Sequence, residues 1–141
     1  MNKINHKAAI VAGIVYYGIQ SAWFTVFGKA WMAALGKTLP QIMSELDGRP
    51  YWPLYVTAFV CDLVLAYAIS YVFSLTSARG AAAGTKLALV LGVFVVAPVT
   101  LTNYVFEMHP LALVAIDAGC AVFGFLVMGA TIGAWQKKAT T

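Results

Sequence analysis

The sequence predicts an all-α integral membrane protein, a four-transmembrane-helix bundle with a short interfacial helical segment between helices 1 and 2. Of its 141 residues, 62% are hydrophobic and only 10% are charged, whereas soluble domains contain about 25% charged residues. The apolar residues form four long stretches, approximately 8–28, 53–76, 87–106 and 111–135. Because about 20 apolar residues suffice to cross a bilayer, we expect a single membrane domain over residues 1–141.

The first span, residues 8–28, contains no charged residue. A signal peptide would end in a small-residue cleavage site, whereas the sequence FGKAWM follows here. We therefore expect the segment to be retained as a membrane helix.

The connection between the first two spans, residues 29–52, is the longest one. Thr38 and Gln41 have the spacing of a helix capping box. We expect a short interfacial helix over residues 39–46, preceded by a helical or turn-rich stretch, residues 28–36, on the membrane surface.

The remaining spans carry polar or helix-breaking residues. The second span, 53–76, and the fourth, 111–135, each contain one aspartate. The third span, 87–106, contains Pro98, which lacks a backbone N–H group and disturbs the carbonyl of Phe94. We expect this span to be bent.

Positive charges are distributed unequally between the two ends of the spans. One end has six basic residues and no acidic residue: Lys3, Lys7, Arg79, Lys86, Lys137 and Lys138. The other end has three basic and three acidic residues: Lys29, Lys37, Arg49, Glu45, Asp47 and Glu107. Because Lys and Arg favour the cytoplasmic side, we expect both termini in the cytoplasm.

Small residues recur every four positions in the last two spans. Gly80, Gly84, Ala88 and Gly92 lead into the third span, and Gly129 and Gly133 lie in the fourth. Such spacing allows close helix packing. A dedicated interface between copies is the alternative.

Four polar residues lie within the half of the spans that faces away from the termini. At about 1.5 Å per residue, Asp62 and Asp117 lie roughly 14 and 10 Å below their helix ends. By the same measure Gln20 lies about 12 Å deep and Asn103 about 6 Å deep. Since the spans alternate in direction, this shared depth predicts one outer-facing polar pocket.

Further residues extend this predicted pocket: Glu107 and His109 at its rim, with Tyr16, Tyr17 and Cys120 along its inner wall. The alternative is that these polar side chains only bond to one another across helices and hold the bundle together. The aromatic residues near span ends are typical of an interfacial belt: Trp23, Trp31, Tyr51, Trp52, Tyr104 and Trp135. Trp31 and Trp52 could instead cover the pocket.

No catalytic motif is present in the sequence, neither GxSxG nor HExxH nor a phosphate-binding glycine loop. His6 and His109 fall at opposite ends of the spans, so we expect no metal site. We also expect no enzyme activity and no cofactor. We expect no nucleic-acid partner, because the basic residues form no run. A lipid-modifying enzyme using Asp62 and Asp117 is the weakest alternative.

Two stretches resemble the DUF1761 family, small bacterial membrane proteins of unknown function. They are WFTVFGKAWMAALG from Trp23 to Gly36 and NYVFEMHPLALVAIDAGCAVFGFLVMGATIGAW from Asn103 to Trp135. The most specific elements are FGKAWM, IDAG and MGxxxGAW. The sequence departs from the family at Phe24, where Tyr is common, and at Cys120, where an aromatic residue is common.

The resemblance covers essentially the whole chain, since the same number of membrane spans, four, is expected. It implies a bacterial inner-membrane protein and brings no catalytic residue, but it adds weight to Asn103, Glu107 and Asp117 as site residues. The leading hypothesis is a non-enzymatic multi-pass protein whose pocket binds or passes a small solute or protons, as in a transporter. The alternative is a small subunit or scaffold in the bilayer that associates with its own copies or with other membrane proteins through its small-residue helix faces and the segment 29–52.

Overall fold

The computed structural model describes residues 4–135, which contain helices and no strand. The elements are α1 (His6–Leu35), α2 (Leu39–Glu45), α3 (Trp52–Ser74), α4 (Ala81–Leu91), a π-helical turn (Gly92–Val96), α5 (Ala97–Phe106) and α6 (Leu111–Ala134). Four helical units are long and apolar enough to cross a membrane: α1, α3, the continuous unit Ala81–Phe106, and α6. The predicted all-α, four-span membrane protein is confirmed. Lys3, Lys137 and Lys138, which entered the charge comparison, lie outside the described residues.

The first helix is longer than the predicted span, because it continues to Leu35. Residues 28–35, expected to be helical or turn-rich, are thus the last turns of α1, and their location on the membrane surface stays a prediction. Alanine, methionine and leucine favour helix in this stretch despite the charge of Lys29. The helix stops at Gly36, whose φ of 68° is the left-handed conformation that suits a C-terminal glycine.

Helix α1 also bonds to the end of α6. The Asn5 side chain accepts a hydrogen bond from the Ala8 N–H group (3.2 Å) and donates one to the Trp135 carbonyl (3.1 Å). The start of the first span and the end of the fourth are thus joined at the same end of the bundle.

The short second helix has the predicted capping box. The Gln41 side chain accepts a hydrogen bond from the Thr38 backbone N–H group at 2.7 Å. Lys37 and Glu45 form an exposed ion pair at 2.7 Å along this helix. The helix ends at Glu45, one residue before its predicted end.

The third span changes its hydrogen bonding directly before Pro98. There the Ala97 N–H group bonds to the Gly92 carbonyl, five residues back, as in a π-helix. Such a turn is a known way to accommodate a residue that lacks the normal backbone donor. The bend expected for this span stays a prediction.

Helix α6 lies in the centre of the bundle and packs against α1, α4 and α5, while α3 packs mainly against α1. A Cβ atom on Gly84 would overlap the Gly129 carbonyl oxygen, and one on Gly133 would overlap the Gly80 carbonyl. Ala88 lies against Gly129, and Gly92 faces α6 near Phe125. The backbones of α4 and α6 therefore cross in direct contact.

Candidate functional site

Asp117 joins three of the four spans. Its Oδ2 atom accepts hydrogen bonds from the Trp31 indole N–H group at 3.2 Å and from the Tyr104 hydroxyl at 2.7 Å. We call Asp117, Trp31 and Tyr104 the Asp117 group. The other carboxylate oxygen, Oδ1, is buried and has no hydrogen-bond partner within residues 4–135.

The helix lengths bring the Asp117 group together. Asp117 lies two turns into α6, and Tyr104 lies in the last turn of α5, which leads into α6. Trp31 reaches the same level only because α1 continues to Leu35. A first helix ending at Gly28 would not contain this donor.

A second tryptophan of α1 attaches to the same part of α6. The Trp23 indole N–H group donates to the Ile116 carbonyl at 3.1 Å, and its ring lies over Gly119. Trp23, Phe27 and Trp31 are spaced four residues apart, so they lie on one face of α1. This aromatic face covers the start of α6.

The polar atoms of Trp23, Trp31 and Tyr104 point into the bundle and bond to α6. The interfacial-belt interpretation stays a prediction for these residues and for the exposed residues Tyr51, Trp52 and Trp135. Trp31 was not predicted as a partner of Asp117, and no particular tyrosine was singled out for it. The four-residue spacing of the α1 aromatic residues was the available indication that they share a face.

Asp62 forms a second group with Gln20. The Gln20 side-chain N–H group donates to Asp62 Oδ1 at 3.1 Å, which connects α1 to α3. Asp62 is only 2% exposed, and its Oδ2 atom has no hydrogen-bond partner in the described part of the chain. We call Asp62 and Gln20 the Asp62 group.

Tyr16 and Cys120 lie between the two groups. Both side chains are buried. Cys120 is close enough to both Asp62 and Asp117 to interact electrostatically with each, and Tyr16 is close enough to Cys120 and Asp62. The Tyr16 ring packs directly on Gly124 of α6, where a Cβ atom would overlap it. Tyr16 of α1 and Cys120 of α6 are thus buried in the same part of the bundle as the two carboxylates.

The predicted rim residues adjoin the Asp117 group. Glu107 Oε2 lies 3.2 Å from His109 Nε2, and both side chains are partly or largely exposed. The His109 ring contacts the Tyr104 ring edge-on, with a centroid distance of 5.4 Å. Glu107, His109, Tyr104 and Asp117 thus form a series of contacts from the surface to the interior.

Two predicted site residues do not join the cluster. Tyr17 packs edge-on against Phe59 at 5.5 Å, between α1 and α3. Asn103 lies on the exposed face of α5, and its side chain makes no hydrogen bond to any described residue. A helix turns by about 100° per residue, so Tyr104 faces α6 where its neighbour does not.

The carboxylates of the two groups have no basic partner among residues 4–135. The ion pairs there involve Lys37 with Glu45 and His109 with Glu107. No set of three His, Cys, Asp or Glu residues within the described chain is arranged to hold a metal ion. What the site offers is two embedded carboxylates, each with one unpartnered oxygen, surrounded by hydroxyl, amide, thiol and indole groups.

Comparison with known proteins gave one family match. The family model described as "Protein of unknown function (DUF1761)" matches residues 7–133, nearly the whole chain. No curated protein and no solved structure matches the chain.

Proposed function

Because the chain belongs to the DUF1761 family, whose function is unknown, we propose from the site alone that this multi-pass membrane protein binds and passes protons through its embedded carboxylates. The role is non-enzymatic. The observation that carries the proposal is the pair of buried, unpartnered oxygens, Asp62 Oδ2 and Asp117 Oδ1.

Charge is the first argument for protons. An ionised carboxylate within a bilayer costs about 2.5–3.5 kcal/mol on insertion scales. Neither Asp62 nor Asp117 has a Lys or Arg partner among residues 4–135. A proton, or a small cation in its place, supplies the missing positive charge.

The chemistry of the neighbouring groups is the second argument. Between the rim and Asp62 lie an imidazole, a phenol, a carboxyl and a thiol, all of which can donate or accept a proton. His109 is partly exposed and contacts Tyr104, which bonds to Asp117 at 2.7 Å. The series gives a proton an entry from the rim. A small solute that bonds to the free carboxylate oxygens is the broader form of the same proposal.

Proton passage can be measured with the purified protein in liposomes that enclose a pH-sensitive dye, under a potassium-diffusion potential. We expect the wild-type protein to conduct protons and both Asp117→Asn and Asp62→Asn to reduce the rate to that of protein-free liposomes. Asp47→Asn is the matched control, because Asp47 is an exposed carboxylate in left-handed backbone that asparagine also adopts. Wild-type rates equal to those of empty liposomes, or full rates in both folded variants, contradict the proposal.

The second candidate function is a small scaffold or subunit, for which the hydrogen bonds that Asp117 accepts from two other helices have a structural role alone. In that case the polar groups only hold the bundle together. Stable, correctly folded protein without proton conduction is the result that supports this candidate.

We further propose a bacterial inner-membrane location with both termini in the cytoplasm, which puts the Asp117 group nearer the outer side. The support is the excess of basic residues at the ends that carry Arg79 and Lys86. Single cysteines at positions 79 and 45, in a background with Cys61→Ser and Cys120→Ser, test this in intact cells. We expect a membrane-impermeant maleimide to label position 45 and not position 79. Labelling at position 79 alone means the reverse orientation.

A further inference from the structure

The outward face of α5 carries an amide without a partner. Asn103 is exposed, and its side chain makes no hydrogen bond within residues 4–135. We propose that two copies of this protein associate in the membrane through this face, with the two Asn103 amides bonded to each other. The face consists of Val95, Val99, Asn103 and Phe106, and we call it the Asn103 face.

An unpartnered amide on a membrane span is available for a bond to another chain. Asn103 lies four residues before Glu107, which corresponds to about 6 Å along the helix. A polar amide in hydrocarbon without a hydrogen bond costs several kcal/mol. Ser21 and Thr25, which are also exposed on a span, bond to carbonyls of their own helix. Asn103 has no such bond to its own helix.

The shape of α5 suits a second helix. Ala97, Thr100 and Tyr104 are the less exposed residues of α5, and Tyr104 bonds to α6. On the other side, Val99 is 57% exposed and Phe106 is 82% exposed. Pro98, Val99, Thr102 and Asn103 line a shallow depression there. The Asn103 face is thus an apolar surface with one polar group beside a depression.

The chemistry of the amide favours an identical partner. An asparagine side chain has both a carbonyl acceptor and N–H donors, so two of them related by a two-fold axis form reciprocal hydrogen bonds. A two-fold interface brings the same patch of both copies together. The face carries no charged side chain that would repel its own copy. A single buried asparagine between apolar residues also fixes the register of paired helices.

Cysteine cross-linking of the full chain in liposomes tests the proposal. Val99→Cys, in a background with Cys61→Ser and Cys120→Ser, places a thiol one turn from Asn103 on the same face. We expect an oxidant or a short bis-maleimide to give a covalent dimer. Asn103→Leu in this background should raise the monomer–dimer Kd about tenfold, in line with the strength of interhelical hydrogen bonds in membranes, and Asn103→Gln should restore association.

Thr57→Val is the matched control, since it also removes an exposed polar group from a span, on the far helix α3. We expect it to leave the monomer–dimer Kd unchanged. Three results overturn the proposal: monomer at every protein-to-lipid ratio, a Kd that does not respond to Asn103→Leu, or an equal response to Thr57→Val. Because Asn103 faces outward, proton conduction by the Asp117 and Asp62 groups is measured separately and can fail independently.

Discussion

Gly129→Leu is expected to force α4 and α6 apart and to lower the free energy of unfolding by about 3 kcal/mol or more. A Cβ atom at this position would overlap the Gly84 carbonyl oxygen and the Ala88 methyl group. The Gly84 oxygen belongs to backbone and cannot rotate away as a flexible side chain can. Close backbone contact of this kind holds membrane helices together without a hydrophobic driving force.

Gly18→Leu is the control for this substitution. Both glycines lie within membrane-spanning helices, but a Cβ atom on Gly18 would have no neighbour within 4 Å. Leucine also favours helix more than glycine does, so we expect Gly18→Leu to be neutral or slightly stabilising. Reversible unfolding in detergent compares the two variants. Equal stability of Gly129→Leu and Gly18→Leu would mean that the α4–α6 contact is not close.

Asp117→Ala is expected to destabilise the protein by about 1–3 kcal/mol, because it leaves two donors without their acceptor. The donors are the Trp31 indole N–H group and the Tyr104 hydroxyl. Asp117→Asn keeps one acceptor oxygen without the charge, so we expect it to destabilise the protein clearly less than Asp117→Ala does. This difference lets Asp117→Asn serve as the folded variant in the proton measurements.

A double-mutant cycle separates the Asp117 contacts from general damage. Trp31→Phe removes one donor and keeps an aromatic ring. We expect Trp31→Phe to lower the free energy of unfolding of the wild-type protein. We expect it to have nearly no effect in the Asp117→Ala variant, because the hydrogen bond is already lost there. Additive costs would contradict the contact between Trp31 and Asp117.

The number and approximate limits of the spans follow from the sequence, because the length of an apolar stretch is a direct measure of membrane crossing. The end of α1 does not. Lys29 interrupts the apolar stretch, but a charge does not end a helix, and the chain continues in helical residues to the glycine at position 36. Apolar content therefore predicted the span, whereas helix propensity and the terminal glycine decide where the helix ends.

The position of the polar residues along their helices could be predicted, and their direction around the helix could not. Counting residues gives a distance along a helix axis. It therefore shows that Asn103 and Asp117 lie towards the same end of their helices. Whether a side chain faces α6 depends on how the helices pack, and the structure turns Tyr104 inward and Asn103 outward. For the same reason the polar side chains that were expected in one pocket form two hydrogen-bonded groups, one at Asp62 and one at Asp117.

The π-helical turn Gly92–Val96 divides the third span into two segments that contact α6 in different ways. Before the turn, the backbone of α4 at Gly84 contacts the backbone of α6 at Gly129, and there is no space between them for a side chain. After it, α5 is attached to α6 by side chains, among them Tyr104. The turn lies where backbone packing against α6 changes to side-chain packing. The two halves of one span are therefore held to α6 by different kinds of contact, one that depends on small residues and one that depends on a hydrogen-bonding side chain.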